Sequence, residues 1–511
     1  MTEHFDLLDL EIMAHAWASI AEEMGGVLVR GALSPNIRER RDSSAALFDA
    51  EGSMVAQAAH IPVHLGAMPE AVRAVRGMNP QPGDVFILND PYHGGSHLPD
   101  LTLIQAVELD GAERVSAFAA VRAHHADVGG MSPGSMPQGA RELVQEGLIL
   151  PPVRLVTSGR VNEDVLAILL ANVRTPDERR GDVQAQLASC AAGAAGLRSL
   201  IEREGEARTW SSAQALMDYA EKRARAAVSA IGDRTGTAED FLEGDGVTET
   251  PIRIVVRVRA SSGRLLFDFA GTSSQVAGNV NCPLAVARAA AVFVLRTLLD
   301  DDVPTNDGIA RAIEIVAEPG SLVNARWPAA VAAGNVETSQ RITDTMFASL
   351  ADAGLDVPAQ GQGTMNNITF GGDGWTFYET VGGGQGASSR GSGPDAVHVG
   401  MSNTRITPIE SLEWYYPIRI DEYAVRRKSG GAGTHRGGDG VIRRYRVLEP
   451  CTVTLLTERR ELQPRGARGG GPGECGRNLL NGRQLPSKCR VSMEPGDVLS
   501  IGTPGGGAWS R

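Results

Sequence analysis

His97-Leu98-Pro99-Asp100 opens a stretch that continues as LTLIQAVEL (residues 101–109), DGAER (110–114) and VSAFAAVRAHH (115–125). Two β-prone runs of similar length flank an Asp110-Gly111 turn, which is the pattern of an antiparallel hairpin. Such a hairpin returns the end of its second strand to the start of its first. His124 and His125 are therefore expected beside His97 and Asp100. Side chains alternate across a strand, so only one of the two adjacent histidines faces that group, and His124 is favoured. Neutral imidazole and carboxylate suit zinc, manganese or iron, and three protein ligands leave positions open for water or substrate. His97, Asp100 and His124 are thus candidate ligands of a divalent metal.

Around this stretch, six of the ten histidines fall between His60 and His125, in HIPVHLG, NDPYHGGSHLPD and RAHHADVGG. An unperturbed imidazole titrates near neutrality, so His125, together with Asp127, is a candidate general base on proximity alone. HxxD is a short motif, and the competing reading is of turn and core histidines satisfied by backbone groups. The hairpin geometry tilts the balance towards metal.

Composition narrows the function classes. The formal charge of −12 argues against a nucleic-acid surface, which needs clustered Lys and Arg. The five cysteines are odd in number, widely spaced and free of CxxC, which argues against a disulfide framework or thiolate zinc knuckle and fits a reducing cytoplasm. No apolar run reaches the length of a membrane span, and the first residues, MTEHFDLLDLEIM, are acidic where a signal peptide is basic. A soluble, cytoplasmic protein is expected.

The 511 residues are enough for two or more domains. Helical spacing marks Asp6–Arg30, Val165–Leu170 and the Ala-rich Asp182–Ala230, while Ser34–Ile37 and the PPVRL segment from Pro151 read as connectors. From about residue 235 the pattern turns to strands, with IRIVVRVRA and RLLFDF around Ser261-Ser262-Gly263 as a hairpin. Two helices, Ala287–Leu299 and Glu337–Leu350, interrupt this second half. The fold class expected is α+β: a mixed helical and β region, 1–235, carrying the metal site, and a β-rich region, 236–511. Most of the late glycine clusters (SGGAGTHRGGDG, RGGGPGECG, TPGGG) read as tight turns between strands, and none matches a phosphate-binding P-loop.

Several stretches are long enough to carry a resemblance: RRDSSAALFDAEG, HIPVHLGAM, GDVFILNDPYHGGSHLPDLTL, GNVETSQRITDTMFASL, YETVGGGQGA and VHVGMSNTRITPIESLE. In these, and in order along nearly the whole chain, the sequence resembles the hydantoinase B family, which includes the matching half of 5-oxoprolinase and the alpha chain of acetone carboxylase. The resemblance implies a B-type subunit that works with an ATP-using subunit of the hydantoinase A type, and the missing nucleotide-binding signature agrees with that division. It maps the family's metal motifs onto His97, Asp100 and His124. Asp42 sits in a matching motif as a further catalytic candidate, and His60, His64 and Asp90 as candidate substrate contacts; His93, in the PYHGG turn, reads as structural.

The activity implied is ATP-dependent hydrolysis of a cyclic amide: a hydantoin, 5-oxoproline or a related lactam. Amide resonance makes the carbonyl a poor electrophile. The partner would phosphorylate the lactam oxygen, and a divalent metal held by this chain would activate water for attack. Two alternatives stand beside it: an ATP-dependent ketone carboxylase subunit, and a non-catalytic scaffold in which the metal only stabilises the complex. The compact length favours hydrolysis over carboxylation, and the absence of cysteine before Cys190 disfavours a closed structural zinc site. Two-fold repetition of an A–B pair into a heterotetramer is the expected assembly.

Overall fold

A computed structural model describes residues 5–59, 61–64, 66–109 and 114–511. The hairpin lies at the centre of a seven-stranded, all-antiparallel sheet. In chain order its strands are β1 (Ser43–Asp49), β2 (Met54–Ala59), β3 (Val85–Leu88), β4 (Asp100–Val107), β5 (Ala117–His124), β6 (Val153–Thr157) and β7 (Arg160–Val161). Their spatial order is β2-β1-β5-β4-β3-β6-β7. Side chains alternate along the strands, so each face of the sheet carries its own core. The helices of this region are α1 (Leu7–Gly31), the short α2 (Pro35–Arg38), α3 (Met68–Arg76), α4 (Glu163–Ala171) and α5 (Pro176–Glu204). On one face Ala45, Leu47, Leu101, Leu103, Ala119 and Val121 pack against α1 and α5. On the other, Ala46, Phe48, Ile104, Phe118 and Ala120 meet Met68, Ala71, Val72 and Val75 of α3. The turn at Asp110-Gly111 lies outside the described residues.

Several details differ from the sequence reading, beginning with Ser34–Ile37, which is no plain connector but the start of α2. The Ala-rich stretch is not one helix: α5 stops at Gly205, whose φ of +82° ends it, and α6 (Glu206–Ile231) follows at once. The PPVRL segment is no connector, since its last residues begin β6 and pair with β3. The first helix begins where expected, because Asp6 caps α1 by accepting the Asp9 N–H.

A second, four-stranded sheet has the order β11-β10-β9-β8. Its strands are β8 (Arg234–Leu242), β9 (Ile252–Ser261), β10 (Arg264–Asp268) and β11 (Ile313–Val316). It packs on α6, on α7 (Leu284–Arg296) and on α9 (Ser339–Asp352), with the short α8 (Asp307–Ala310) between the last two in sequence. The hairpin expected around Ser261-Ser262-Gly263 is β9-β10. α9 is entered through a π turn, Gly334–Thr338, rather than directly at Glu337.

Two further antiparallel sheets close the molecule. One runs β13 (Trp375–Glu379), β12 (Asn367–Gly372), β16 (Cys451–Leu456), β19 (Lys488–Met493). After α10 (Ile409–Tyr415), the other runs β14 (Ile418–Arg426), β15 (Gly440–Val447), β20 (Val498–Gly502), β17 (Arg477–Leu480), β18 (Arg483–Gln484). Phe370, Phe377, Tyr445, Val453, Leu455 and Ile501 fill the space between them.

The late glycine clusters are a correction. Most are not turns with positive φ but segments laid backbone on backbone. The Gly506 N–H donates to Gly438 O (2.9 Å) and Gly506 O accepts from the Gly431 N–H (2.9 Å). A Cβ on Gly438 would stand 1.9 Å from Pro394 O, so glycine is required there for close approach, not for conformational freedom.

Candidate metal centre

Asp100 and His124 are direct partners across β4 and β5, at the end of the sheet where β1 also begins. His97 joins them from the loop before β4, three residues ahead of Asp100. The loop is held tight: the Gly95 N–H donates to Asp90 O (2.8 Å), and a Cβ on Gly95 would meet Asn89 O at 2.2 Å. His97 Nδ1 lies 3.1 Å from Asp100 Oδ2 and His124 Nδ1 3.3 Å from Asp100 Oδ1. One ligand atom from each of the three residues lies within 4.8 Å of the others. All three residues are at most 2% exposed.

The surroundings fix each ring. His64 Nε2 is 3.4 Å from Asp100 Oδ2, and its Nδ1 shares a hydrogen bond of 2.9 Å with Ser44 Oγ on β1. Ser96 Oγ donates to Asp100 Oδ2 at 2.7 Å. The His124 backbone is pinned on both sides: its N–H donates to Asp42 O (3.0 Å) and its carbonyl accepts from Asn36 Nδ2 (2.7 Å). Its ring stacks on Tyr378 of β13, with centroids 4.4 Å apart and planes 15° apart. The Arg40 guanidinium lies 5.1 Å from the Tyr378 ring centroid and donates to Tyr378 O and Thr380 Oγ1.

Electrostatics sort the protonation states. Burial alone would raise the Asp100 carboxyl, but His97 and the imidazoles of His124 and His64 hold it well below the usual carboxylate range. Burial pushes His124 down, against the pull of Asp100 and Asp42. An ionised carboxylate beside a neutral imidazole is the donor set a divalent cation needs.

Alternation sends His125 the other way. Its Nε2 shares a 2.9 Å hydrogen bond with Gln186 Oε1 on α5, and burial lowers its pKa to about 4. Asp127 is saturated: it accepts the N–H groups of Gly129, Gly134 and Arg174 and pairs with the Arg174 guanidinium at 2.8 Å. His125 Nδ1 is buried without a partner, but the ring is turned towards α5 and away from Asp100, and Asp127 has no free oxygen to offer there. Asp90 accepts from the Tyr92 N–H and pairs at 2.6 Å with His93, whose side chain is largely exposed, so this pair fixes the PYHGG turn. Asp42 is buried and close enough to act electrostatically on both His124 and Tyr378. His60 lies outside the described residues.

Comparison with known proteins sets this centre in context. The family model for hydantoinase B/oxoprolinase matches residues 6–511. The chain belongs to the hydantoinase B/oxoprolinase family. Within that family it is 39% identical to an uncharacterized protein of Methanocaldococcus jannaschii, covering 99% of this chain and 90% of that one. It is 38% identical to 5-oxoprolinase 1 of Arabidopsis thaliana, covering 99% of this chain but 42% of that longer protein. Among solved structures, the ATP-dependent caprolactamase of Pseudomonas jessenii superposes with a TM-score of 0.92 at 25% identity, over 99% of this chain and 92% of that one. An acetone carboxylase in its nucleotide-free state shares the fold, with a TM-score of 0.85 at 16% identity, over 98% of this chain and 75% of the other.

For this hydantoinase B/oxoprolinase chain the residues fit a divalent metal. His97 Nδ1 and Nε2, Asp100 Oδ1 and His124 Nε2 are all buried and make no contact of hydrogen-bond geometry. Orphaned polar atoms at this density are rare in a folded interior unless something else binds them. Sequence reasoning missed Tyr378, Arg40, Ser44 and Ser96. None lies in the histidine-rich segment except Ser96, and hydroxyl or aromatic side chains carry no ligand signature of their own. Tyr378 is itself tied down: its OH donates to Asn367 Oδ1 (2.8 Å), and Asn367 Nδ2 donates to the buried Glu337 (2.7 Å). No helix among the described residues is long and apolar enough to cross a membrane, and the five cysteines are free.

Proposed function

We propose that this chain is the B-type component of an ATP-dependent cyclic amidohydrolase that opens a hydantoin, 5-oxoproline or related lactam. The observation that carries this reading is the convergence of His97, Asp100 and His124, with their orphaned donor atoms, inside a chain whose relatives include 5-oxoprolinases and a caprolactamase. A hydantoinase A-type partner would use ATP to phosphorylate the amide oxygen, turning a poor electrophile into one with a phosphate leaving group.

His97, Asp100 and His124 would hold the cation, be it zinc, manganese or iron. When bound, such an ion supplies Lewis-acid polarisation and lowers the pKa of water towards neutrality. The protein groups do the rest. Ser96 and His64 keep Asp100 ionised and oriented. Tyr378 holds the His124 ring and Asn36 its backbone carbonyl. Asp42, buried beside His124, is the general base that takes the proton from attacking water, since His125 and Asp127 are engaged elsewhere. His64 and Asp90 remain proposed substrate contacts, His64 being the one beside Asp100. Two A-type and two B-type chains form the proposed complex.

The test is turnover. The chain is co-expressed with an A-type partner and incubated with ATP and a panel of hydantoins, 5-oxoproline and caprolactam, and with ketones plus bicarbonate, and products are weighed by mass spectrometry. Gain of water with ATP consumption supports the reading. Gain of CO2 on a ketone, or no lactam consumed by a complex that hydrolyses ATP, contradicts it.

A further inference from the structure

Glu337 is wholly buried, and the proposed mechanism does not use it. It lies in the π turn Gly334–Thr338 that leads into α9. Such turns are rare and are found frequently at functional sites. This one is pressed against residues 280–282: Thr338 Oγ1 donates to Val280 O, and a Cβ on Gly334 would stand 1.8 Å from Asn281 O. The turn therefore fixes where the Glu337 carboxyl sits. Its Oε1 accepts the Met365 N–H (3.0 Å) and Asn367 Nδ2 (2.7 Å), while its Oε2 is buried with no hydrogen-bond partner. A buried carboxyl oxygen left open is uncommon and calls for an account.

From this carboxyl an unbroken line of contacts runs to the metal centre. Asn367 Nδ2 also donates to Leu456 O (2.9 Å), so its carboxamide has one permitted orientation: turned over, Oδ1 would face a carboxyl and a carbonyl. That orientation presents Oδ1 to the Tyr378 OH (2.8 Å), and the Tyr378 ring stacks on His124 at 4.4 Å. An ionised Glu337 accepts from Nδ2 more strongly than a neutral one, which polarises the amide and makes Oδ1 the better acceptor in turn. Tyr378 is then held more firmly against His124.

The charge on Glu337 is poised to change. Burial and the Glu458 carboxylate push its pKa up to about 7, against the pull of Thr364, Lys488 and the Met365 N–H. Glu458 is itself held by Lys488 and, at 3.0 Å, by Arg341 of α9. Arg460 and Tyr378 also respond to the charge on Glu337.

We infer that Glu337 is a positioning residue of the metal centre, acting on His124 through Asn367 and Tyr378. The inference rests on the metal reading of His97, Asp100 and His124 and is independent of which lactam is opened. Ionised, Glu337 tightens the line and strengthens metal binding; protonated on the open Oε2, it slackens the line. By linkage, bound metal lowers the Glu337 pKa in return.

Zn2+ affinity of the full chain, measured by competition with a chromophoric chelator from about pH 6 to about pH 8, brackets the Glu337 titration. The wild type, E337Q, Y378F and the double variant are compared; E337Q keeps the shape of the side chain and cannot ionise. Equal affinity at the acid end and ~3-fold weaker binding by E337Q at the alkaline end are expected, with no further effect of E337Q in the Y378F background. The same pH dependence in wild type and E337Q, or an E337Q effect undiminished without the Tyr378 hydroxyl, overturns the inference. Should E337Q fail to fold, Y378F alone must flatten the pH dependence, and an unchanged one overturns the inference as well. A second readout needs no metal. With carbon-13 at tyrosine Cζ, the Tyr378 resonance, assigned by its loss in Y378F, is expected to move with a midpoint of about 7 in the wild type and to stay fixed in E337Q. A resonance that behaves alike in both overturns the inference. A wild-type chain that binds no Zn2+ counts against the metal reading alone, because the tyrosine resonance still decides whether Glu337 reaches Tyr378.

Discussion

Asp100 is approached by His97, His124, His64 and Ser96 at once, and the Ser96 hydroxyl is the one ordinary hydrogen-bond donor among them. Removing it frees the carboxylate to rotate without removing a ligand. Ser96→Ala is therefore expected to fold normally and to lose ~10- to 100-fold in metal affinity or turnover, the usual cost of losing a hydrogen bond behind a ligand. Competition with a chromophoric chelator measures it; unchanged affinity would mean that the imidazoles alone orient Asp100. For individual residues the sequence was informative where spacing and alternation act together. HxxD and the two-residue period bring His97, Asp100 and His124 together and turn His125 away. The pairing of Asp127 with Arg174 depends on the chain returning from a distant segment, so neighbourhood in sequence was misleading there.

The elements divide the work of holding the centre. β4 and β5 supply Asp100 and His124, while β13, from a different sheet more than two hundred residues later, supplies the Tyr378 ring that stacks on His124. Tyr378→Phe keeps the stack and strands Asn367 Oδ1. It should cost about 1–3 kcal/mol in denaturant unfolding with metal retained. Tyr378→Leu also removes the stack and should weaken metal binding ~10-fold; equal metal affinity in all three proteins would leave Tyr378 without a part in holding the ion. The strands were legible from alternating apolar residues. The break between α5 and α6 was not, because one glycine within an Ala-rich helical pattern reads as tolerated. β6 was missed because five residues ending a loop carry little periodicity, and only pairing with β3 makes them a strand.

Across the whole molecule, the first sheet's loops are stitched to the second region by Glu146. Its buried carboxyl accepts the N–H groups of Val331 and Ala332 at 2.9–3.1 Å. Burial raises its pKa to about 8 from 4.5. Between those values the folded protein keeps a proton that the unfolded chain has released. Stability from this group is thus full below pH 4.5, falls as pH rises through the window and levels off above about 8. Glu146→Gln, which cannot ionise, should flatten that part of the pH–stability curve, a change on the order of a few kcal/mol across the window; an unchanged slope would contradict it. The glycine clusters show what whole-molecule packing hides from sequence. Glycine for a turn and glycine for backbone-on-backbone contact look the same in a string of letters, and only the neighbours of Gly438 and Gly506 separate them.

If His97, Asp100 and His124 hold a metal on which lactam opening depends, metal and activity must be lost together. Metal content is therefore measured by mass spectrometry on the purified A–B complex, wild type and His97→Ala, with ATP-dependent lactam turnover assayed on the same samples. The expected result is ~1 metal ion per B-type chain in the wild type, little or none in His97→Ala, an intact complex in both, and turnover lost with the metal. A wild-type complex that opens lactams without bound metal, or a His97→Ala complex that keeps both metal and turnover, would contradict it.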